Sequence, residues 1–371
     1  MITLCIPTYN RPHYLGRLLQ YYKELKFPYP IIVADSSNAT CRSIDKKLVL
    51  EASDILKVSY QEYEPNISVC VKISKALSST NSEFACICAD DDFVIPDSIT
   101  QCASFLELNP DYSVAHGNVA MALLLPPKAA PAPQVLHAYT YAQLETKEGK
   151  DITDRLKSYF NKSGSTFYSV YRRANLISNL TTIDKNTNYP HFGELLLDCL
   201  NLIQGKLKCL DILYMVRQLT PERGAATYIP WHDFIHVDYY AREYDLFFKC
   251  LTGELVRSGI TEVTAKEIVS RNFSKFRRNV GKKGIQTLPS KVIRGGYLLF
   301  KLLFDLPVAI KLTRIRHFLT SPRDAWMVSR CENDKFSVKR LMHVKSDYHK
   351  VFSVVHKYLV RFPGGIAALK L

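Results

Sequence analysis

The chain has 371 residues, 47% of them hydrophobic and 23% charged, which is enough apolar mass for a buried core and excludes a disordered chain. Its net charge of +14 is uneven: residues 1–256 hold 25 Lys+Arg against 28 Asp+Glu, net −3, and residues 257–371 hold 24 against 7, net +17. Ten cysteines without a CxxC pair exclude a disulfide framework or zinc site and read as buried thiols of a reducing, cytoplasmic compartment.

The opening "MITLCIPTYN" reads as a strand running into a loop and not as a secretory leader. Residues 2–7 form a strand pattern, 11–25 a helix, 30–37 a strand, 41–53 a weaker helix, 56–62 a strand, 67–80 a helix and 83–89 a strand. This alternation predicts a mostly parallel α/β sheet covered by helices on both faces. Ligands of such sheets sit at the carboxyl ends of the strands, where Thr8 to Asn10, Asp35 and Asp90 to Asp92 fall. A helix over 96–110, a strand over 112–125 and a proline-rich loop over 126–133 follow. A strand over 164–173, a helix over 191–206 closed by Gly205, and a strand over 207–219 complete the alternation. From Trp231 the pattern is helical and increasingly basic.

The stretch "ACICADDDFVIP" places Asp90, Asp91 and Asp92 directly behind an apolar run. Three adjacent carboxylates repel one another unless a cation or hydrogen-bond donors offset the charge. A hard divalent ion, Mg2+ or Mn2+, does so by taking one or two carboxylates and filling its sphere with substrate phosphates. The plainer alternative is a solvated acidic turn or a cap for the helix at Pro96. A run leaving a buried strand faces the ligand crevice, which favours the metal.

Five segments, "TLCIPTYNRPHYLGRLL", "IIVADSS", "CADDDFVIPDSI", "STFYSVYRRANL" and "GELLLDCLNLIQGKLKCLDILYMVRQ", occur in the order and spacing of the inverting family-two glycosyltransferases with the GT-A fold. The chain resembles that family over residues 1–220. The resemblance implies a GT-A, Rossmann-like catalytic domain over 1–225, with a nucleotide-sugar half over 1–110 and an acceptor half over 111–225; charge and helical patterning assign 226–371 to a basic helical region. It implies a nucleotide-sugar donor, first of all a UDP-sugar, a divalent cation on its diphosphate, and a carboxylate base serving a glycan or lipid-linked glycan acceptor.

Position by position, Pro7, Thr8 and Tyr9 resemble the nucleoside pocket, and Asp35 resembles the carboxylate that reads the base. Lys72 stands where the family places a base or diphosphate contact, with Lys75 on the same helical face. Pro96 sets the register of the acidic run: Ala89 stands at the family's first Asp, Asp90 and Asp91 contact ribose or diphosphate, and Asp91 and Asp92 contact the metal. Eleven residues before Gly205 stands Glu194, at the position of the catalytic base, so that Gly193-Glu194 replaces the usual Glu-Asp. Asp198, one turn on, is the fallback. His232 lies near where several members place a third metal ligand, and Arg217 and Arg223 are candidate phosphate contacts.

The basic tail lies outside the resemblance. Segments 274–284, 290–304 and 308–319 mix cations with Leu, Ile and Phe, the composition of a helix lying on anionic lipid at the inner face of a membrane. The alternative is a helical subdomain packed on the catalytic domain with a basic outer face. Nucleic acid is a poorer explanation of the tail, for want of an aromatic and basic recognition motif. Stretch 297–312 is broken by Lys301, Asp305, Pro307 and Lys311, short of the roughly 18 uncharged residues that a membrane span needs. Two rival activities remain, a sugar-nucleotide-forming nucleotidyltransferase and an inactive scaffold of the same fold. The first usually needs a glycine-rich loop where this chain has "PTYNRPHYLG", and the intact acidic run opposes the second.

Overall fold

The computed structural model describes residues 1–124, 135–141, 144–219, 229 and 231–286. The first seven elements match the alternation expected of them: β1 (Ile2–Thr8), α1 (Pro12–Glu24), β2 (Ile31–Asp35), α2 (Ala39–Ala52), β3 (Val58–Glu62), α3 (Val69–Ser78) and β4 (Phe84–Ile87). They form a parallel ladder in the order β3-β2-β1-β4, with Thr8 beside Asp35 and Cys5 beside Ile87. The order reverses between β1 and β4. In doubly wound sheets the crevice at that reversal is where ligands bind.

Successive residues of these strands feed two apolar cores, one on each face. Leu4, Ile6, Ile31 and Val33 join Leu15, Leu18 and Leu19 of α1, whereas Cys5, Ile32 and Ala34 join Ile73 and Leu77 of α3. A strand buried on both faces reads as a continuous apolar run, which is why these strands are plain in the sequence.

Beyond β4 the sheet is mixed. It continues through β5 (Phe93–Val94), α4 (Pro96–Leu108), β6 (Tyr112–Leu124), β7 (Val135–Tyr141), α5 (Ile152–Asn161), β8 (Val170–Arg172), α6 (Arg173–Asn186), α7 (Pro190–Gln204) and β9 (Lys206–Leu219). From β4 the order runs β8-β6-β9-β5, with β7 beside β6; only β6 and β9 pair in parallel. The strand expected over 164–173 shrinks to Val170–Arg172, and α6 takes over at Arg173 because Leu176, Leu180 and Ile183 recur at helical spacing and are buried. Helix α5 shows the same period in Leu156, Tyr159 and Phe160, and Asp151 caps it by accepting from the Asp154 N–H at 2.8 Å. Residues 126–133, expected as a loop, lie outside the described residues.

Gly205 ends α7 by close packing, since its backbone is extended and a Cβ there would come within 2.8 Å of the Ser113 nitrogen. Helices α8 (Trp231–Phe234), α9 (Tyr240–Arg257) and α10 (Glu262–Gln286) follow. Phe234, Phe247 and Phe273 close around Phe192 of α7 in the second core and Phe276 packs on Phe273, each burial stabilising by about 2 kcal/mol. Arg271, Lys275, Arg277 and Arg278 occupy the exposed face of α10. The first basic segment is thus a packed helix with a cationic outer side, while segments 290–304 and 308–319 lie outside the described residues. No helix among the described residues is long and apolar enough to cross a membrane.

Candidate active site

Three loops are tied together above the reversal point. Asn10 adopts a left-handed backbone (φ 55°), which asparagine tolerates better than most residues. Its N–H donates to Ser37 Oγ at 2.8 Å, and its Oδ1 accepts from the Asn38 N–H at 2.8 Å. Lys72 of α3 donates from Nζ to the Thr8 carbonyl at 2.9 Å and to Ser36 Oγ at 2.8 Å. Burial pushes the Lys72 ammonium down and Asp35 pulls it back. Lys75, its neighbour on the helix, is exposed.

Between these loops lies a cleft of about 390 Å³, with Pro7, Thr8, Tyr9, Lys72, Ala89 and Tyr168 among its walls. Four of the residues assigned to the nucleoside and diphosphate therefore meet in one cavity. Asp35 lies behind it, wholly buried, while Ser36 lines the cleft. Its Oδ1 accepts from the Ser37 N–H at 2.7 Å and its Oδ2 from the Tyr60 hydroxyl. Asp45 of α2, also fully buried, stands against Asp35, and burial with Asp35's charge pushes its carboxyl up to about 8.

The three acidic side chains turn in different directions. Asp90 accepts from Thr8 Oγ1 at 2.8 Å and from Arg11, and burial pushes it up to about 7 against the pull of Arg11. Asp91 accepts through Oδ2 from Arg11 Nη1 at 2.9 Å and is the most exposed of the three, at 9%. Asp92 turns away to β9, where Oδ1 accepts from the Gln218 N–H at 3.0 Å and Oδ2 from Arg217 Nε at 3.1 Å. Strand β5 makes this possible, because Phe93 pairs with Val216 and carries the preceding carboxylate alongside Arg217. Below the run, the fully buried Arg17 of α1 donates to the Asp91 carbonyl at 2.9 Å and to Gln218, with its guanidinium over the rings of Phe93 and Tyr14.

Two of the run's carboxylates are thus committed at both oxygens, whereas Asp91 is engaged through Oδ2 alone. That suits a hard ion held by one carboxylate and completed by donor phosphates and water. Among the described residues no three His, Cys, Asp or Glu side chains gather as a protein-only metal cage. Asp92, assigned to the metal, accepts from Arg217 and the Gln218 N–H and so ties the run to β9. His232 falls in α8 with its side chain outside the described part of the structure, and Arg223 lies outside the described residues altogether.

Glu194 and Asp198 share a face of α7 but not a role. Asp198 is buried and saturated: Oδ2 accepts from the Tyr159 hydroxyl at 2.5 Å, and Oδ1 from the Thr166 N–H at 2.8 Å and the Thr166 hydroxyl. It pins α5 and the 164–166 loop to α7. Glu194 is half-buried, with its carboxyl raised by burial and drawn back by Arg217 and the Ser165 hydroxyl. It stands one turn inside the helix, which begins at Pro190, so it is not a first-turn residue completing the helix dipole. At Gly193 a Cβ would meet Ile183 Cγ2 at 3.3 Å and Thr187 Oγ1 at 3.4 Å, so any larger residue there needs Ile183 to give by about a few tenths of an ångström.

Sequence reasoning passed over Arg11, Arg17, Tyr60 and Asp45. Arg11 carried a weak signal, a cation in the loop that follows the first strand. Arg17 looks in the sequence like any solvated helix cation, and only its burial shows otherwise.

No family model and no curated protein match the chain. It is similar to the solved structure of S. aureus TarS at 15% identity and TM-score 0.46, over 74% of this chain and 43% of that one. The TarS 1-349 complex with UDP aligns at 16% identity and TM-score 0.44, over 73% of this chain and 70% of that one. The mannosyltransferase PcManGT from Pyrobaculum calidifontis, in complex with GDP-Man and Mn2+, aligns at 14% identity and TM-score 0.42, over 96% of this chain and 86% of that one.

Proposed function

We propose that the chain is an inverting glycosyltransferase of the GT-A type. It moves a sugar from a nucleotide-diphosphate sugar, first of all a UDP-sugar, to an acceptor hydroxyl in the building of a cell-surface polysaccharide or glycolipid. The observation that carries this reading is the cleft at the reversal point of the sheet, where Pro7, Thr8, Tyr9 and Lys72 meet above the acidic run.

The nucleoside lies against Pro7, Thr8 and Tyr9, with Asp35 shaping the base end through the turn at Ser36 and Ser37. Lys72 and Arg11 present cations to the diphosphate. Asp91 is the carboxylate that holds a divalent ion, and such an ion, when bound, withdraws negative charge from the departing nucleoside diphosphate. Glu194 accepts the proton of the acceptor hydroxyl. That oxygen bonds to the anomeric carbon from the face opposite the diphosphate, and the bond to the leaving oxygen breaks with its electron pair, inverting the centre. Burial suits Glu194 to the task, since a base works best when its pKa approaches the working pH.

A thermal-shift panel of UDP-glucose, UDP-GlcNAc, UDP-galactose, GDP-mannose and dTDP-rhamnose, with and without Mn2+, tests the reading. A donor that raises Tm and is then hydrolysed or transferred supports it; no shift with any nucleotide removes it. Binding without turnover selects the inactive scaffold.

A further inference from the structure

Ser36, the residue that follows β2, lines the cleft and is only 3% exposed. Its N–H donates to the Thr8 carbonyl at 3.3 Å, and Lys72 Nζ donates to that same carbonyl at 2.9 Å, so the β1 and β2 loops hold it from two sides. Its Oγ accepts from Lys72 Nζ at 2.8 Å. An ammonium can only donate, so the Ser36 hydroxyl hydrogen points away from Lys72. No acceptor for that hydrogen stands among the described residues.

The neighbouring polar groups are committed elsewhere. Thr8 gives its hydroxyl hydrogen to Asp90 at 2.8 Å, and Arg11 is forked across Asp90 and Asp91. Asp35, one residue before Ser36, offers the cleft no carboxylate: it is wholly buried, is not among the walls, and accepts from the Ser37 N–H at 2.7 Å and from the Tyr60 hydroxyl. Pro65, Ile67, Val69 and Phe167 add apolar wall. The turn after β2 therefore presents a hydrogen-bond donor where a base-reading carboxylate would present an acceptor.

That polarity sorts nucleobases. Uracil and thymine carry a carbonyl at C4, and guanine and hypoxanthine at C6, where cytosine and adenine carry an amino group. The carbonyl accepts the free hydrogen of Ser36. An amino group has to be accepted by Oγ instead, which leaves the hydroxyl hydrogen buried without an acceptor, and such an unmade bond costs more than a made one contributes.

We propose that Ser36 is a specificity-determining residue of the donor site, its hydroxyl held as a donor by Lys72 and directed at the exocyclic carbonyl of the base, so that the site takes uracil, thymine or guanine and rejects cytosine and adenine. This rests on the cleft being a nucleotide-sugar site, and the experiment separates the two ideas. Calorimetry on the full chain with Mn2+ present compares UDP with CDP, and inosine diphosphate with ADP, each pair exchanging that carbonyl for an amino group.

In the pair that binds more tightly, the parent prefers the carbonyl member by about 10-fold or more. Ser36→Ala weakens the carbonyl member by about 3–10-fold and the amino member by less than about 2-fold, which narrows the preference. A preference that survives in Ser36→Ala, or is absent from the parent, overturns the inference and leaves the nucleotide site standing. Survival in Ser36→Ala with loss in Asp35→Asn returns base reading to Asp35. Equal weakening of both members places Ser36 against ribose or phosphate and also overturns the inference. A chain that binds none of these nucleotides removes the site and the inference together. A melting curve verifies that Ser36→Ala is folded. Should it fail that check, Ser36→Cys, whose thiol is a weak donor, decides alone: a narrowed preference supports the inference and an unchanged one overturns it.

Discussion

Arg11 forks across Asp90 and Asp91, with Nη1 2.9 Å from Asp91 Oδ2, so the residue that precedes α1 neutralises a charge run 80 positions away. In the proposed site the guanidinium on Oδ2 and a divalent ion would share the Asp91 carboxylate and compete for its charge. Arg11→Ala should therefore raise Mn2+ uptake in the absence of nucleotide, measured by paramagnetic resonance, and weaken UDP binding by about tenfold through loss of one charged contact. Unchanged Mn2+ uptake would separate Arg11 from the metal position.

Asp91 and Asp92 should respond differently to the same chemical change. Asp91→Asn is expected to abolish the Mn2+-dependent part of UDP affinity, measured by calorimetry, with little change in Tm. Asp92→Asn loses the Arg217 ion pair and weakens the tie to β9, so it should lower stability by about 1–3 kcal/mol in denaturant unfolding. A metal effect confined to Asp92 would reverse the assignment.

On α7, Glu194→Gln should keep UDP affinity and stability while turnover drops by about 10²–10⁴. Asp198→Asn should do the opposite, because its partners Tyr159 and Thr166 hold structure: stability falls by about 1–3 kcal/mol, with kcat changed much less. Equal kinetic loss in both would place the base at Asp198.

Stability should depend on pH in an unusual direction. The Asp45 carboxyl is raised from 3.8 to about 8, so between those values the folded chain holds a proton that the unfolded chain has released. The contribution is fully present below about pH 4 and is lost as pH rises toward 8. Asp198, raised to about 7, acts with the same sign. Asp45→Asn should flatten the decline in unfolding free energy between pH 5 and 8; a slope identical to the parent's would mean that Asp45 is ionised in the fold.

For the basic tail, the packed face of α10 dictates where to cut. Truncation at residue 256 would remove Phe273 and Phe276 from the second core, so the informative truncation follows Gln286. Flotation with phosphatidylserine vesicles should be lost in that variant. If it persists, binding resides on the exposed cations of α10, or membrane contact does not involve the tail.

The parallel half of the fold was legible because β1, β2 and β4 are apolar runs and the helices between the strands keep a 3.6-residue period, whereas the edge strand β3 is polar and only partly buried. The acidic run stood out as a candidate because it follows such a strand, and Lys72 and Glu194 entered as candidates only through the family resemblance. Period and position are properties of neighbouring residues, and the sequence by itself determined them. The partners of the carboxylates are not: Asp92 meets Arg217 across 125 residues through the two-residue strand β5, too short to leave a pattern. Glu194 and Asp198 likewise share one helical face, and only the docking of Tyr159 and Thr166 separates the structural carboxylate from the available one. Tertiary structure decided those pairings because charge compensation in a buried site depends on which distant segments the core brings within a few ångströms.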